Sequence, residues 1–137
     1  MKYLIDTNII SESIKTNPNP SVLNKLKQHQ NELAIASPVW HELQFGCFRL
    51  PASRKREIIQ SFLNDVFSSS MAILPYDERA AIWHAIERAR LSTQGKTLSF
   101  VDGQIAAIAR VNSLILVTRN TEDFRYFSEL KIQNWYK

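Results

Sequence analysis

The hydrophobic residues of the chain occur in short compact runs that alternate with longer stretches of helical spacing. Two runs, at residues 2–5 and 114–117, are compact and apolar, and the second contains Leu, Ile, Leu and Val. Such runs predict buried parallel strands, because strands covered on both faces of a sheet carry few polar residues. Weaker runs at residues 33–36, 71–74 and 130–133 are further strand candidates.

Seven segments between these runs are predicted to be helices. They cover residues 8–15, 21–28, 38–48, 53–67, 77–92, 100–111 and 121–127. The alternation predicts a mostly parallel sheet, because parallel strands need long crossovers and the crossovers cover the sheet. We therefore expect an α/β fold, a three-layer α/β/α sandwich, formed as one domain over residues 1–137.

Composition narrows the class of protein. The 137 residues are 45% hydrophobic and 22% charged, which is typical of a globular chain. No apolar run approaches the roughly 20 residues of a membrane helix, and Asp6 interrupts the first run too early for a signal peptide. The single cysteine, Cys47, is expected to be a core residue in a reducing cytoplasm. A net charge of +4 favours an anionic partner.

Acidic residues near predicted strand ends are candidates for chemistry, since binding crevices of open α/β sheets lie outside the carboxyl ends of the strands. Asp6 directly follows the first strand. Helix capping would explain it. However, Thr7 and Asn8 could also cap the next helix, and this surplus of polar groups beside a buried strand indicates a site.

Two further acids lie in the N-terminal halves of predicted helices. Glu42 borders the apolar stripe of a helix for which Ser37 is the predicted N-cap, although a solvent-facing glutamate is its ordinary interpretation. A zinc-protease motif at Glu42 is excluded because Phe45 stands where the second histidine is required. Asp102 lies three residues after Ser99, the spacing of a capping box, which explains it structurally. The small apolar helix after Asp102 nevertheless indicates burial, with its start at the crevice.

Short polar groups also follow the strand at residues 114–117. Thr118 and Asn120 lie at its end, and Glu122 and Asp123 fall in the first turn of the next helix, where the helix dipole favours negative charge.

Three carboxylates that converge at one crevice would repel one another, so such a cluster requires a cation. A set of oxygen ligands selects Mg²⁺ or Mn²⁺. A divalent ion held by carboxylates is suited to activating water for phosphodiester cleavage, which predicts a metal-dependent nuclease.

Four segments in order resemble PIN-domain ribonucleases of the VapC toxin type. They are Leu-Ile-Asp-Thr-Asn-Ile-Ile at residues 4–10, Glu-Leu-x-x-Gly at 42–46, Val-Asp-Gly-Gln-Ile-Ala at 101–106 and Leu-Val-Thr-Arg-Asn-Thr-Glu-Asp-Phe at 116–124, with Asn-Trp at 134–135 near the end. The resemblance implies a Mg²⁺- or Mn²⁺-dependent endoribonuclease in the cytoplasm. It also implies the toxin of a toxin–antitoxin pair, a homodimer that a VapB-like antitoxin keeps inactive.

The resemblance also assigns roles. It implies that Asp6, Glu42 and Asp102 are metal ligands and catalytic residues, joined by Asn120 as a further catalytic residue, with Thr118 as a hydrogen-bonding partner. Some PIN proteins have an acid at the position of Asn120, so weaker or single-ion metal binding is expected here.

Other residues have supporting roles in this interpretation. Glu122 or Asp123 would supply charge indirectly, and Arg119 and Lys96 would hold the RNA backbone. Among the aromatic residues Trp40, Phe45 and Phe48, at least half are expected in the core and the remainder on a surface for the dimer or the antitoxin.

Three alternatives stay open at the level of sequence. Phosphoaspartate enzymes of the haloacid-dehalogenase type also place an Asp after the first strand, but they carry a second Asp where this chain has Asn8. A non-catalytic PIN fold that binds RNA or protein is a second alternative. A PIN nuclease that processes RNA outside a toxin–antitoxin system is the third.

Overall fold

A computed structural model describes residues 1–69 and 71–137, and it contains a five-stranded parallel sheet. The strands are β1 (Tyr3–Ile5), β2 (Leu33–Ala36), β3 (Ala72–Leu74), β4 (Ile115–Val117) and β5 (Ile132–Gln133). Their order in the sheet is β3-β2-β1-β4-β5, and all four pairings are parallel. The central strands are buried, with Leu4 and Ile35 fully inaccessible. The predicted α/β class and the parallel sheet are confirmed.

Seven helices connect and cover the strands in the part of the chain that the structure describes. They are α1 (Thr7–Glu12), α2 (Pro20–Gln28), α3 (Ser37–Phe48), α4 (Arg54–Ser68), α5 (Glu78–Thr93), α6 (Phe100–Val111) and α7 (Thr121–Phe124). None of these described helices combines the length and the apolar character needed to cross a membrane.

Two predicted helix ends and one predicted N-cap are wrong. The first helix ends at Glu12 and not at residue 15, because the Glu12 carboxylate accepts a hydrogen bond from the backbone N–H of Asn19 at 2.9 Å and turns the chain. The last helix ends at Phe124 and not at residue 127, and the backbone N–H of Phe127 instead bonds the carbonyl of Phe124 in a three-residue turn. Ser37 is not an N-cap. Helix α3 starts at Ser37 directly after β2, so Ala36 takes the cap position without a side-chain hydrogen bond.

The order of the strands determines where the polar ends of the strands meet. From β1 the chain continues to β2 and β3 on one side of the sheet, and it then crosses to β4 and β5 on the other side. In such sheets the crevice lies where the direction of winding reverses, here between β1 and β4. Asp6, Ser37 and Thr118, which follow β1, β2 and β4, therefore lie along one edge of the sheet.

The structure shows whether the cysteine and the aromatic residues of α3 lie in the core or on the surface. Cys47 is buried as a free thiol, as predicted. Trp40 packs partly buried against the core. Phe45 and Phe48 point outward from α3, with 56% and 54% of their surfaces exposed, so the expectation that at least half of the three aromatic residues lie in the core is wrong.

Helices α5 and α6 pack closely through a histidine that faces a glycine. His84 of α5 is buried and its Nδ1 lies 2.8 Å from the hydroxyl of Tyr76. A Cβ atom added to Gly103 of α6 would overlap the imidazole ring of His84. The absence of a side chain at Gly103 therefore lets the first turn of α6, which carries Asp102, approach α5.

We predict that Gly103→Ala destabilises the protein by about 1–3 kcal/mol, because either the buried imidazole or α6 must move. Urea unfolding followed by circular dichroism measures the change. Gly46→Ala is the matched control. Gly46 also lies within a helix, and a Cβ there has open space, so this variant is expected to gain about 0.5–1 kcal/mol. Equal stability of Gly103→Ala and the wild type would contradict the close packing of α5 and α6.

Candidate active site

Asp6 lies at the centre of the sheet edge, and both of its carboxylate oxygens are fixed by hydrogen bonds. Oδ1 accepts from the backbone N–H of Thr7 at 2.8 Å, which makes Asp6 the N-cap of α1. Oδ2 accepts from the hydroxyl of Thr118 at 2.8 Å. Asp6 is only 8% exposed and Thr118 is fully buried. Asp6 therefore caps a helix and also joins the ends of β1 and β4.

Thr118 also positions the loop that follows β4. Its hydroxyl oxygen accepts a hydrogen bond from the backbone N–H of Asn120 at 3.1 Å. Asn120 occupies the N-cap position of α7, but its side chain makes no capping hydrogen bond. The amide of Asn120 is therefore available to the crevice.

All four sequence-predicted catalytic residues line one cavity of about 540 Å³, which we call the acid cavity. The predicted members are Asp6, Glu42, Asp102 and Asn120. The other lining residues among those described are Thr7, Asn8, Ser11, Ser99, Val101 and Ile105. Residues from α1, α3, α6 and the end of β4 thus share one opening.

Asp102 and Glu42 enter the acid cavity in different ways. Asp102 lies partly buried in the first turn of α6, where its backbone N–H donates to the Ser99 hydroxyl at 3.3 Å. Glu42 lies exposed on α3 and also lines a neighbouring cavity of about 470 Å³ beside Tyr76. Within residues 1–69 and 71–137, no three His, Cys, Asp or Glu side chains form a compact metal-binding group. The acids share an opening but do not form a closed cage.

The electrostatics of the acid cavity oppose full ionisation. Burial, followed by the negative charges of Asp6 and Asp123, raises the pKa of Asp102 to about 6. Burial also raises the pKa of Asp6, against the opposing effect of its hydrogen bonds from Thr118 and Thr7. Among the described residues, the ion pairs include neither Asp6 nor Asp102. The carboxylates are therefore left without a positive partner.

The sequence offered two acids in α7 as indirect sources of charge, and the structure distinguishes them. Glu122 forms an ion pair with Arg125 on the same helix. The charge of Asp123 raises the pKa of both Asp6 and Asp102. Asp123 is thus the α7 acid whose negative charge acts on the cavity.

Sequence analysis counted Asn8 among the surplus polar groups after β1 but gave it no role in the site, and it did not name Ser11. Both residues lie inside α1 and line the acid cavity. The Oδ1 of Asn8 is buried and has no hydrogen-bond partner among the described residues. A buried acceptor without a donor is costly, and a cation can satisfy it. The sequence signal that could have identified Asn8 is its position two residues after Asp6, at the start of α1.

The donor set fits a hard divalent cation. The groups that line the acid cavity offer carboxylate, amide and hydroxyl oxygens, with no imidazole or thiol among the described lining residues. Such ligands suit Mg²⁺ and Mn²⁺. The raised pKa of Asp102 and the unpartnered Oδ1 of Asn8 both indicate groups that a cation would stabilise.

The two cations assigned to the RNA backbone from sequence lie in different places. The guanidinium of Arg119 is 4.6 Å from the ring centroid of Tyr136. Lys96 lines a separate cavity, with its Nζ 4.9 Å from the ring centroid of Tyr126. Neither residue is among the described residues that line the acid cavity.

Sequence and structure comparisons both find similarity to VapC proteins. Ribonuclease VapC2 of Haemophilus influenzae is 33% identical over 136 residues, covering 98% of each chain. The tRNA(fMet)-specific endonuclease VapC of Shigella flexneri is 33% identical over 137 residues, again covering 98% of each. The crystal structure of VapBC2 from Rickettsia felis, bound to a DNA fragment from the promoter, matches with a TM-score of 0.83 at 31% identity, covering 98% of this chain and 99% of that one.

The family assignment rests on most of the chain. Residues 3–130 match the PIN domain family, a range that includes every residue of the acid cavity. The match decides against the phosphoaspartate alternative, which the presence of Asn8 had already weakened. The chain belongs to the PIN-domain family and, within it, to the VapC type.

Proposed function

We propose that this protein is a Mg²⁺- or Mn²⁺-dependent endoribonuclease and the toxin of a toxin–antitoxin pair. The observation that supports the catalytic part most directly is the meeting of Asp6 and Asp102 at one cavity, where burial and then the charge of Asp6 raise the pKa of Asp102 without a compensating cation. Proteins keep such an arrangement where charge is needed for function. The names of the VapC relatives favour RNA as the substrate.

Each side chain has a role in this proposal. Asp6 and Asp102 would hold the metal, and Glu42 would either join them as a ligand or orient the attacking water from α3. A bound divalent ion supplies an acidified water and neutralises the charge that develops on the phosphate. Thr118 fixes the orientation of Asp6 through its hydrogen bond, and Asn120 offers hydrogen bonds to the substrate. The amide at position 120 favours weaker binding or a single ion, because it supplies no fourth negative charge.

The biological part of the proposal follows the relatives. Solved structures of similar chains are VapBC and FitAB complexes, which supports a VapB-like antitoxin as partner. Exposed apolar side chains on α3 and α5 support a homodimer or antitoxin interface, and they are Phe45, Phe48, Ile82 and Ile86. We further propose that the chain acts as a single domain in the cytoplasm.

The first prediction concerns metal binding and stability. For Asp102, the folded-state pKa of about 6 lies above the ordinary 3.8. Wild-type stability should therefore rise as the pH falls from 7.5 through 6, since the folded state then binds a proton more tightly than the unfolded state. Asp102→Asn should reduce this rise and leave the contribution of Asp6, whose pKa burial also raises. Without metal, Asp102→Asn should be more stable than the wild type at pH 7.5 by about 1–2 kcal/mol, after solvent screening and the lost helix-dipole interaction.

Thermal unfolding with and without MgCl₂ or MnCl₂ measures this effect. Metal should raise the Tm of the wild type at pH 7.5 and have little effect on Asp102→Asn. Glu78→Gln is the control, because Glu78 is also an acid in the first turn of a long helix, α5, but does not line the acid cavity. An equal metal-induced shift in Asp102→Asn and the wild type would place the ion elsewhere.

The second prediction concerns cleavage. Asp6→Asn, Glu42→Gln and Asp102→Asn should each lower the rate of RNA cleavage by at least about 100-fold, because metal-held charge stabilisation is worth several kcal/mol. EDTA should abolish the wild-type activity. Asn caps helices as well as Asp does, so Asp6→Asn should keep the start of α1 intact.

Gel analysis of labelled RNA, with circular dichroism of every variant, provides the measurement. Glu78→Gln should cut RNA at the wild-type rate. Cleavage that persists in EDTA, or full activity of Asp6→Asn, would refute the metal mechanism. A folded wild type that binds RNA but never cuts it with metal present would favour the non-catalytic PIN alternative.

The third prediction concerns toxicity. Induced expression of the wild type in a bacterial host should arrest growth, and Asp102→Asn should not, because its metal site is incomplete. Co-expression of the product of the adjacent gene should restore growth if it is the antitoxin. Normal growth with an active wild-type nuclease would favour the RNA-processing alternative, and arrest by Asp102→Asn would separate toxicity from cleavage.

A further inference from the structure

A second, smaller cavity contains the opposite charge from the acid cavity. It has a volume of about 160 Å³ and lies between α5 and the segment that leads into α6. Its polar lining includes Arg88, Ser92, Lys96, Thr97 and Ser99, and no Asp or Glu is among its described lining residues. We call it the basic pocket.

Neither cation of the basic pocket is neutralised by a carboxylate. The guanidinium of Arg88 lies 5.2 Å from the ring centroid of Phe100, and Lys96 lies over Tyr126. The ion pairs of the described residues include neither Arg88 nor Lys96. An aromatic ring orients a cation without removing its charge. Both side chains are therefore positioned and still available to an anion.

A neighbouring arginine shows the contrasting arrangement. Arg90, two residues after Arg88 on α5, bonds both carboxylate oxygens of Glu87 at 3.0 Å and the carbonyl of Tyr126 at 2.7 Å. Glu87 also accepts from the backbone N–H of Ser128. Arg90 thus fixes the chain after α7, whereas Arg88 has no such structural partner.

The basic pocket adjoins the acid cavity. Ser99 lines both cavities, and its position precedes the first turn of α6 that carries Asp102. Burial lowers the pKa of His84, and the positive charge of Arg88 lowers it further. Burial raises the pKa of Tyr76, which lies on the Glu42 side of α6, and the charge of Arg88 opposes that rise. A polyanion lying across Ser99 would therefore meet the acids on one side and two cations on the other.

We propose that the basic pocket binds a backbone phosphate of the RNA strand that is cut in the acid cavity. This inference rests on the proposed ribonuclease function. Lys96 and Arg88 would supply charge-assisted hydrogen bonds to the non-bridging oxygens. The Ser99 hydroxyl, whose oxygen accepts from Asp102, keeps its proton to donate to the same phosphate. Such contacts fix the register of the strand without reading its bases.

Binding measured without cleavage tests the inference. The probe is a fluorescein-labelled, ten-nucleotide single-stranded RNA, titrated in EDTA against protein carrying Asp102→Asn, with anisotropy recorded at several salt concentrations. Added to this background, Lys96→Gln and Arg88→Gln should each weaken binding several-fold. Each should also reduce the slope of log K against log salt by about 0.7, the value for one phosphate contact on a single strand.

Lys2→Gln is the matched control, because Lys2 also lies over a tyrosine ring, 5.3 Å from the centroid of Tyr3, but it precedes β1 at the opposite edge of the sheet. It should leave the slope unchanged. Lys96→Arg should restore binding, and thermal unfolding verifies that each variant folds.

Equal affinities and slopes for Lys96→Gln and Lys2→Gln would overturn the proposal. The proposal would also be overturned if inorganic phosphate alone bound in the pocket while Lys96→Gln left the RNA affinity unchanged. Because no cleavage is measured, failure of the basic pocket and failure of the nuclease function give different results. If the wild type never cuts RNA, Lys96→Gln and Arg88→Gln are still expected to weaken RNA binding.

Discussion

The hydrogen bond from Thr118 to Asp6 joins the ends of two neighbouring strands, and the geometry of the site depends on it. The chain crosses the sheet so that β4 pairs with β1, which brings residues more than a hundred positions apart within 2.8 Å. This bond and the N–H of Thr7 fix one orientation of the Asp6 carboxylate. They do not neutralise its charge, which burial makes costly. The charge of this fixed carboxylate then acts on Asp102, which lines the same cavity.

Burial of an acid does not by itself make a site, as two other carboxylates of this protein illustrate. Glu12 is buried, but hydrogen bonds from Asn19 and Tyr136 lower its pKa. Glu87 is buried, and hydrogen bonds from Arg90 hold its pKa low. Both acids have enough donors to remain ionised and serve the structure. Burial raises the pKa of Asp6, and no cation among the described residues pairs with it. This uncompensated charge separates Asp6 from the two structural acids and is why we propose it as a metal ligand.

The sequence predicted what depends on local pattern and missed what depends on distant partners. The sheet follows from compact apolar runs, and Asp6 follows from its position after one of them. The early end of α1 depends on Glu12, whose oxygen also accepts from Tyr136 at the other end of the chain. The oxygen-rich lining of the acid cavity could be expected from the sequence. The buried Oδ1 of Asn8 could not, because only the folded structure shows that no donor among the described residues reaches it. Arg88 was missed for a similar reason, since its pocket exists only once α5 packs beside the start of α6.

The amide at Asn120 is consistent with the charge balance of the acid cavity. Burial and two neighbouring acids already bring the pKa of Asp102 to about 6, close to the point where it would protonate at neutral pH. A further carboxylate at position 120 would raise that pKa again and favour a proton over a metal ion at Asp102, unless a second cation entered. An amide keeps a hydrogen-bonding group at the same point without that penalty. Asp123, exposed on α7, adds negative charge from outside the lining. We propose that the acid cavity, without a fourth carboxylate in its lining, suits one divalent ion better than two.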